Sequence, residues 1–400
     1  MRRGHRLEAG VTLIEMMVAL VISMVMSIAV MLVLSSFEGR RRTQGSTSDL
    51  DQTGALAMFQ LDRRIRSAGS GLSQGSSYAF GCRLFAAKSG SQILPVSGSL
   101  PAPFAAVNPG SSGVFRLAPI LILPGQTTPG VSGKTSDVLV VMSSGNDASQ
   151  VPSPLSAPPT ASQLTTVNLT EFSPGDLLLV TDQQPNSGGG PADCLVAQAS
   201  TSLATTGTGT ALSLGGAGTS YFSATVGTAS IASFTDASVA FDLGAATSSG
   251  SGQPPAFEVI GVGDNNTLYS YDLLQIAEAS PQAQAEGVFE MHAVYGIDST
   301  GSSNNKIDKW VDAGSTSAYS VTALSDGSAG AMTLLKNIRA VRVALILRTA
   351  LPEKDIVTPN GLTIFPDLTD LTLTRSLSAT EQHFRYRVVE TTIPVRNNSF

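Results

Sequence analysis

The hydrophobic pattern of this chain changes character twice along its length. From Met16 to Phe37 there are 22 successive residues without a charge, nearly all apolar. That is enough helix to cross a bilayer core of about 30 Å. Further on, Leu50, Gly54, Ala57, Met58, Leu61, Ile65 and Ala68 recur at helical spacing and fall in one stripe about 100° wide. Asp51, Asp62, Arg63 and Arg66 lie off that stripe. The spacing predicts an amphipathic helix packed on a flat surface such as a sheet, with Gly69 as its C-cap. Leu56 and Phe59 point away from the stripe, either towards another chain or into ordinary partial exposure. Gly39, Gly45 and Gly54 each cost about 1 kcal/mol relative to Ala inside a helix, so the helix is weakest between 39 and 54.

Beyond residue 70 the pattern becomes short β-like runs punctuated by Gly, Pro and Ser. Strands are predicted at 136–143, 176–182, 256–262, 267–276, 287–298, 338–348 and 383–396. In the sixth of these, Val341, Val343, Leu345 and Leu347 alternate with Arg342, Ala344, Ile346 and Arg348, a period of two. Pro394 places the last strand at a sheet edge or in irregular pairing. Low-complexity stretches around 97–113, 143–163, 184–220 and 244–255 read as surface loops or insertions. No internal repeat is present. The elements together predict an α+β class.

Composition sharpens this picture. The 42% hydrophobic content supports a real core, while only 14% of the 400 residues are charged. A net charge of −6 makes the whole chain a poor nucleic-acid binder. The leader Met1–Gly10 is short and basic, with Arg2, Arg3 and Arg6 against Glu8. No small-residue cleavage site follows the apolar run, and no cysteine does either, so the segment is expected to be retained. Arg40, Arg41 and Arg42 follow the run, so flanking charge alone does not orient it. Cys82 and Cys194 are an even pair, which in an oxidising compartment reads as one disulfide; the alternative is two separate buried thiols.

Glu15 stands at the head of the apolar run, and a carboxylate in hydrocarbon costs roughly 2.5–3.5 kcal/mol, so it needs a partner or a task. The stretch Gly10-Val11-Thr12-Leu13-Ile14-Glu15 resembles the processing site of type IV prepilins, although Val11 stands where Phe is usual. The resemblance implies cleavage between Gly10 and Val11, N-methylation of the new amine on Val11, and recognition of a neighbouring subunit's amino terminus by Glu15. In a helix starting at Val11, Glu15 lies about 6 Å along the axis from that amine, where the helix dipole favours a carboxylate. An interfacial Glu reaching towards headgroups is the plainer alternative.

Later segments narrow the resemblance to the PilW-type minor pilins. "LDRRIRSAG" (61–69) followed by Cys82, "GVFEMHAVYGID" (287–298) with "DKWVDA" (308–313), "IRAVRVALILR" (338–348) and "YRVVETTIPVRN" (386–397) are all similar to blocks of that family. The resemblance covers roughly 10–82 and 287–397 and says little about 95–280.

Other motifs fail on context. "GLSQG" (71–75) puts Ser73 in a nucleophile position, but that elbow needs a strand before it and a helix after it. "TPGVSGKTS" (128–136) resembles a phosphate loop without its first glycine, and a strand rather than a helix follows. The turn 298–308 offers Asp298 and Asp308, too few carboxylates for calcium. His292 reads as structural or exposed rather than as a ligand, and Trp310 and Tyr295 as core or edge aromatics.

By resemblance the chain is expected to be a non-catalytic minor pilin acting in a priming or tip complex, without cofactor or metal. The implied organisation is a leader at 1–10, a membrane helix at 11–37, an amphipathic helix at 38–69 and a β-rich periplasmic head at 70–400. The implied partners are a prepilin peptidase, other minor pilins, the major pilin and the inner membrane, with a large tip adhesin as a further candidate and no nucleic acid. Two other readings stand beside it: a pseudopilin of a type II secretion system, and a tip adhesin or ligand-binding module built on 95–280.

Overall fold

One helix, Leu13–Ser67, carries both apolar patterns. The computed structural model describes residues 10, 12–109, 113–127, 135–145, 151–170, 172–182, 192–200, 211–215, 222–246, 253–301 and 306–396. The chain divides into two units, Met1–Asp51 and Gln52–Phe400. In the first, the described side chains from Leu13 to Leu34 are all exposed. In the second, Gly54, Ala57, Met58, Leu61, Ile65 and Ala68 are buried, as the periodicity predicts, while Leu56 and Phe59 are 51% and 66% exposed.

The stripe rests on antiparallel sheet. A Cβ at Gly54 would stand 2.5 Å from Leu347 Cδ1 and 3.6 Å from Val389 Cγ2. The glycine that weakens the helix is thus the residue that lets its backbone approach the sheet. Leu347 and Val389 lie in Ile338–Arg348 and Tyr386–Pro394, the last two strands of a four-stranded sheet that begins with Lys309–Val311 and Val288–Ile297. Tyr386–Pro394 is an edge strand, which accommodates Pro394.

A five-stranded sheet follows in the order Gln282–Glu286, Thr267–Asp272, Ala256–Gly263, Ser136–Ser143, Ile120–Thr127. Side chains stitch it to the four-stranded sheet. Ser136 Oγ accepts from Met291 N at 2.8 Å, Asp137 Oδ2 accepts from Ala293 N at 3.0 Å, and the buried Tyr295 hydroxyl accepts from Ile122 N at 2.6 Å. The helix ends at the same place. Gly69, at φ +75°, donates its N–H to Met142 O at 2.9 Å, and Ser144 N donates to Ser70 O at 2.8 Å.

The region between is not a set of loops. An eight-stranded sheet runs Ser91–Leu94, Arg83–Lys88, Asp193–Gln198, Asp176–Thr181, Val239–Ala245, Ser153–Thr160, Gln163–Thr166, Ala211–Ser213. It is mixed, because Arg83–Lys88 and Asp193–Gln198 run parallel. Among the described residues of 143–163 and 184–220, the surface-loop reading is therefore corrected by Ser153–Thr160, Gln163–Thr166, Asp193–Gln198 and Ala211–Ser213, while 146–150, 183–191, 201–210 and 216–220 lie outside the described residues. Three of these contribute few apolar side chains (Leu155, Leu164, Leu212) to a core already supplied by Leu178, Val180 and Leu195. Their own pattern was too sparse to announce a strand. In 97–113, Phe104 is fully buried in a short turn of helix. Two predicted strands also end differently. Asp272 halts its strand by accepting Leu274 N and Ile276 N, and a turn at Glu381–His383 precedes the last strand.

Cys82 and Cys194 are joined by a disulfide with a Cα–Cα distance of 5.6 Å. It closes the parallel pair at its start, beside an Arg83–Asp193 ion pair of 2.6 Å. Peptide mapping without reductant should recover these two cysteines in one linked peptide; two freely alkylated thiols would contradict it. Replacing Gly54 with Val should lower stability by about 1–3 kcal/mol in denaturant titration, because the fully buried Leu347 leaves no room. Gly45→Ala, with nothing within 4 Å of the added carbon, should instead raise local helix protection in hydrogen exchange.

Candidate functional site

The first turn of the long helix is built by Thr12. Its hydroxyl oxygen accepts Glu15 N at 3.3 Å and its carbonyl accepts Met16 N at 3.2 Å, so Thr12 is the N-cap and Glu15 occupies the third helical position. Thr-Leu-Ile-Glu has the spacing of a capping box, a signal the sequence reading passed over when it assigned a role only to Glu15. Gly10 is exposed with nothing within 4 Å of a Cβ built on it. Val11 lies outside the described residues.

Leu13–Ser35 is long and apolar enough to cross a membrane. Its serines do not leave hydroxyls unsatisfied. Ser23 Oγ donates to Leu20 O at 2.9 Å, Ser27 Oγ to Ser23 O at 2.8 Å, and Ser35 Oγ to Leu32 O at 2.9 Å. In hydrocarbon such internal bonds are the only ones on offer. Glu15 is the charge that stands apart in this stretch. A carboxylate in that position can accept hydrogen bonds from an ammonium or from backbone amides.

The second unit holds a set of charged groups, most of them largely buried and Asp367 exposed. His292 Nε2 lies 3.3 Å from Glu290 Oε2, and Nδ1 lies 3.8 Å from Asp137 Oδ2. Burial alone would lower the imidazole's pKa, but bonds and charges from Asp137 and Glu290 raise it to about 9. Arg375 Nε donates to Glu290 Oε1 at 2.7 Å. Arg342 donates to Asp367 and Glu390, while Glu390 Oε1 accepts Phe365 N at 2.7 Å. Arg64, on the long helix, reaches Glu258 at 2.8 Å and Gln284 Oε1 at 3.0 Å. Burial raises Asp272 to about 6, despite its bonds from Ile276 N and Leu274 N. These are tethers between elements, and they give His292 a structural role.

Ser73 is buried in a short helical turn that follows the long helix, not a strand. Residues 128–134 of the phosphate-loop-like stretch, and 302–305 of the turn 298–308, lie outside the described residues. In that turn Asp308 accepts Ser299 N and Oγ, and Asp298 accepts Thr300 N and Oγ1. Among the described residues no group of three or more His, Cys, Asp or Glu could hold a metal ion. Tyr295 is wholly buried, and Trp310 packs against the cluster of Phe289, Ile346 and Phe365.

Comparison with known proteins fits this geometry. Residues 259–397 match the family described as Type IV Pilus-assembly protein W (PilW). Residues 5–31 match the prokaryotic N-terminal methylation motif. No curated protein and no solved structure matches the chain. The chain is PilW-type and type IV pilin-like in these two segments. They imply membrane anchoring, contact with a prepilin peptidase and association with other pilus components. The first match begins before the 287–298 block and takes in the whole four-stranded sheet, but neither the 61–82 stretch that the resemblance also rested on nor any of the eight-stranded sheet.

His292 and Asp272 both bind a proton more tightly in the fold than in the unfolded chain. Their stabilisation is therefore present at low pH and lost as pH rises, from about 4 to 6 for Asp272 and from about 6.5 to 9 for His292. Thermal unfolding of the detergent-solubilised protein should show stability falling by on the order of 3 kcal/mol across the upper window. His292→Gln should flatten that window alone, and Asp272→Asn the lower one.

Proposed function

We propose that this chain is a minor subunit of a type IV pilus machine, acting in a priming or tip complex. A prepilin peptidase cuts between Gly10 and Val11, and the new Val11 amine is methylated. The apolar helix then holds the protein in the inner membrane with its head in the periplasm until it joins the filament. Glu15 takes the ammonium of a neighbouring subunit as its counter-charge. The observation that carries this reading is the Thr12-capped start, which sets Glu15 in the first turn of a fully exposed apolar span. The eight-stranded sheet supports a sparse or terminal place, since a head enlarged this far beyond the matched core would be hard to tile at every position of a fibre. The chain performs no catalysis.

The test separates processing from docking. Mass spectrometry of the membrane-extracted protein should find Val11 at the amino terminus, and Gly10→Val should leave a longer precursor. Glu15→Ala should be cut and inserted normally, since losing a charge eases entry into lipid. It should nevertheless drop out of filaments, because a buried ammonium left without its partner costs roughly 3–5 kcal/mol. Normal piliation with normal incorporation of Glu15→Ala would end the docking role.

A further inference from the structure

A cleft opens where the edge of the eight-stranded sheet meets the five-stranded one. One wall is formed by Gln92, Val96, Ser97 and Ser99, and the other by Tyr271, Leu273 and Gln275. Its volume is about 280 Å³, just below the roughly 300–1,000 Å³ range of ligand pockets. The two walls differ in origin. The second falls inside the family-matched segment 259–397 and the first outside it, so the cleft needs residues from both sides of that boundary.

The inner wall is held firmly. Asp272 accepts Leu274 N at 2.9 Å and Ile276 N at 2.7 Å, which uses both its oxygens on the turn. Lys88 Nζ donates to Gln275 O and, at 3.4 Å, to Ile276 O. Gln275 is fixed at φ +50°, a region that residues other than glycine seldom occupy. Its side-chain amide donates to the Tyr271 hydroxyl at 2.9 Å. That bond uses the amide nitrogen and the phenol oxygen, so the amide oxygen and the phenol hydrogen stand ready for a ligand. Across the gap are Ser97 and Ser99, with a little apolar surface from Val96, while Leu100 and Leu273 are buried beneath the floor.

No lining residue is charged. The charges behind the inner wall are already engaged, Lys88 on the carbonyls of Gln275 and Ile276 and Asp272 on the amides of Leu274 and Ile276, so a charged ligand gains no counter-ion from the lining itself. Neutral donors and acceptors beside a small apolar patch suit a pyranose ring, which presents hydroxyls at its rim and C–H bonds on its face. The cleft is too small for an extended peptide of several residues. We infer that it binds one neutral sugar unit of a glycan. This is independent of the pilin reading, because it requires neither processing nor assembly.

The test is saturation-transfer NMR on the full-length protein in a zwitterionic detergent without a sugar headgroup. The probes are glucose, galactose, mannose and N-acetylglucosamine, with sialic acid and a trialanine peptide as controls. At least one neutral sugar should receive saturation through its ring C–H protons. Gln275→Gly, which suits the positive φ and removes the amide, should weaken that Kd by about tenfold with an unchanged melting temperature. Ser97→Trp, on an exposed loop, should fill the cleft and abolish the signal. No signal from any neutral sugar, equal signals in both variants, or signal only from the peptide or the charged sugar would overturn the inference.

Discussion

A single helix here has to satisfy two different solvents, and the rest of the structure follows from how its faces are divided between them. Over Leu13–Ser35 every side is apolar, and polar hydroxyls turn back onto the helix's own carbonyls. Over Gly54–Ala68 only one stripe is apolar, and that stripe needs a sheet to cover it. The sheet it finds is antiparallel and close enough that the contact point admits no side chain at Gly54. The helix then ends by handing its backbone hydrogen bonds to the Ser136–Ser143 strand and its neighbour residues. The strand pairing of the core is thus organised around the underside of the helix.

The two sheets beneath the helix are joined by side chains standing in for a missing ladder. Ser136, Asp137 and Tyr295 each satisfy a main-chain amide of the opposite sheet. Buried polar groups are expensive unless paired, and these are paired with the backbone itself. The charges nearby follow the same economy: Glu290 is shared by His292 and Arg375, and Glu390 by Arg342 and the Phe365 amide. Such a seam fixes register more strictly than apolar packing alone, because each group fits only one partner.

Much of this was legible in the sequence. The apolar run, the stripe from Leu50 to Ala68, Gly69 as the cap and the alternating strand 338–348 all have strong periodicity, and Ser136–Ser143 and Ile338–Arg348 were placed to the residue. The eight-stranded sheet was largely missed because strands such as Ser153–Thr160 carry three prolines and one buried leucine. Tertiary neighbours, not local pattern, make them strands. At the head of the helix, Glu15 was noticed for its cost in lipid, while Thr12, which sets its position, is an ordinary polar residue until its hydrogen bond is seen. The cleft had no sequence signal at all, since its walls lie about 180 residues apart and only the fold brings Gln92 and Tyr271 together.

The disulfide has a mechanical consequence. It ties Cys82 to Cys194 across 112 residues, only a short way after the helix ends. Tension drawn between the helix and the C-terminus cannot pay out the chain between those cysteines. At about 3.3–3.6 Å per extended residue, that closed loop withholds roughly 370–400 Å of contour length. Five strands of the eight-stranded sheet, with Ile120–Thr127 and Ser136–Ser143 of the five-stranded one, lie wholly within the loop and are shielded from the load, while Ala211–Ser213 and Val239–Ala245 lie beyond it. Force arriving along the helix passes instead through the covalent bridge and into the sheets that follow, so a subunit under pull would yield as a short, stiff link and not as a long, soft tether.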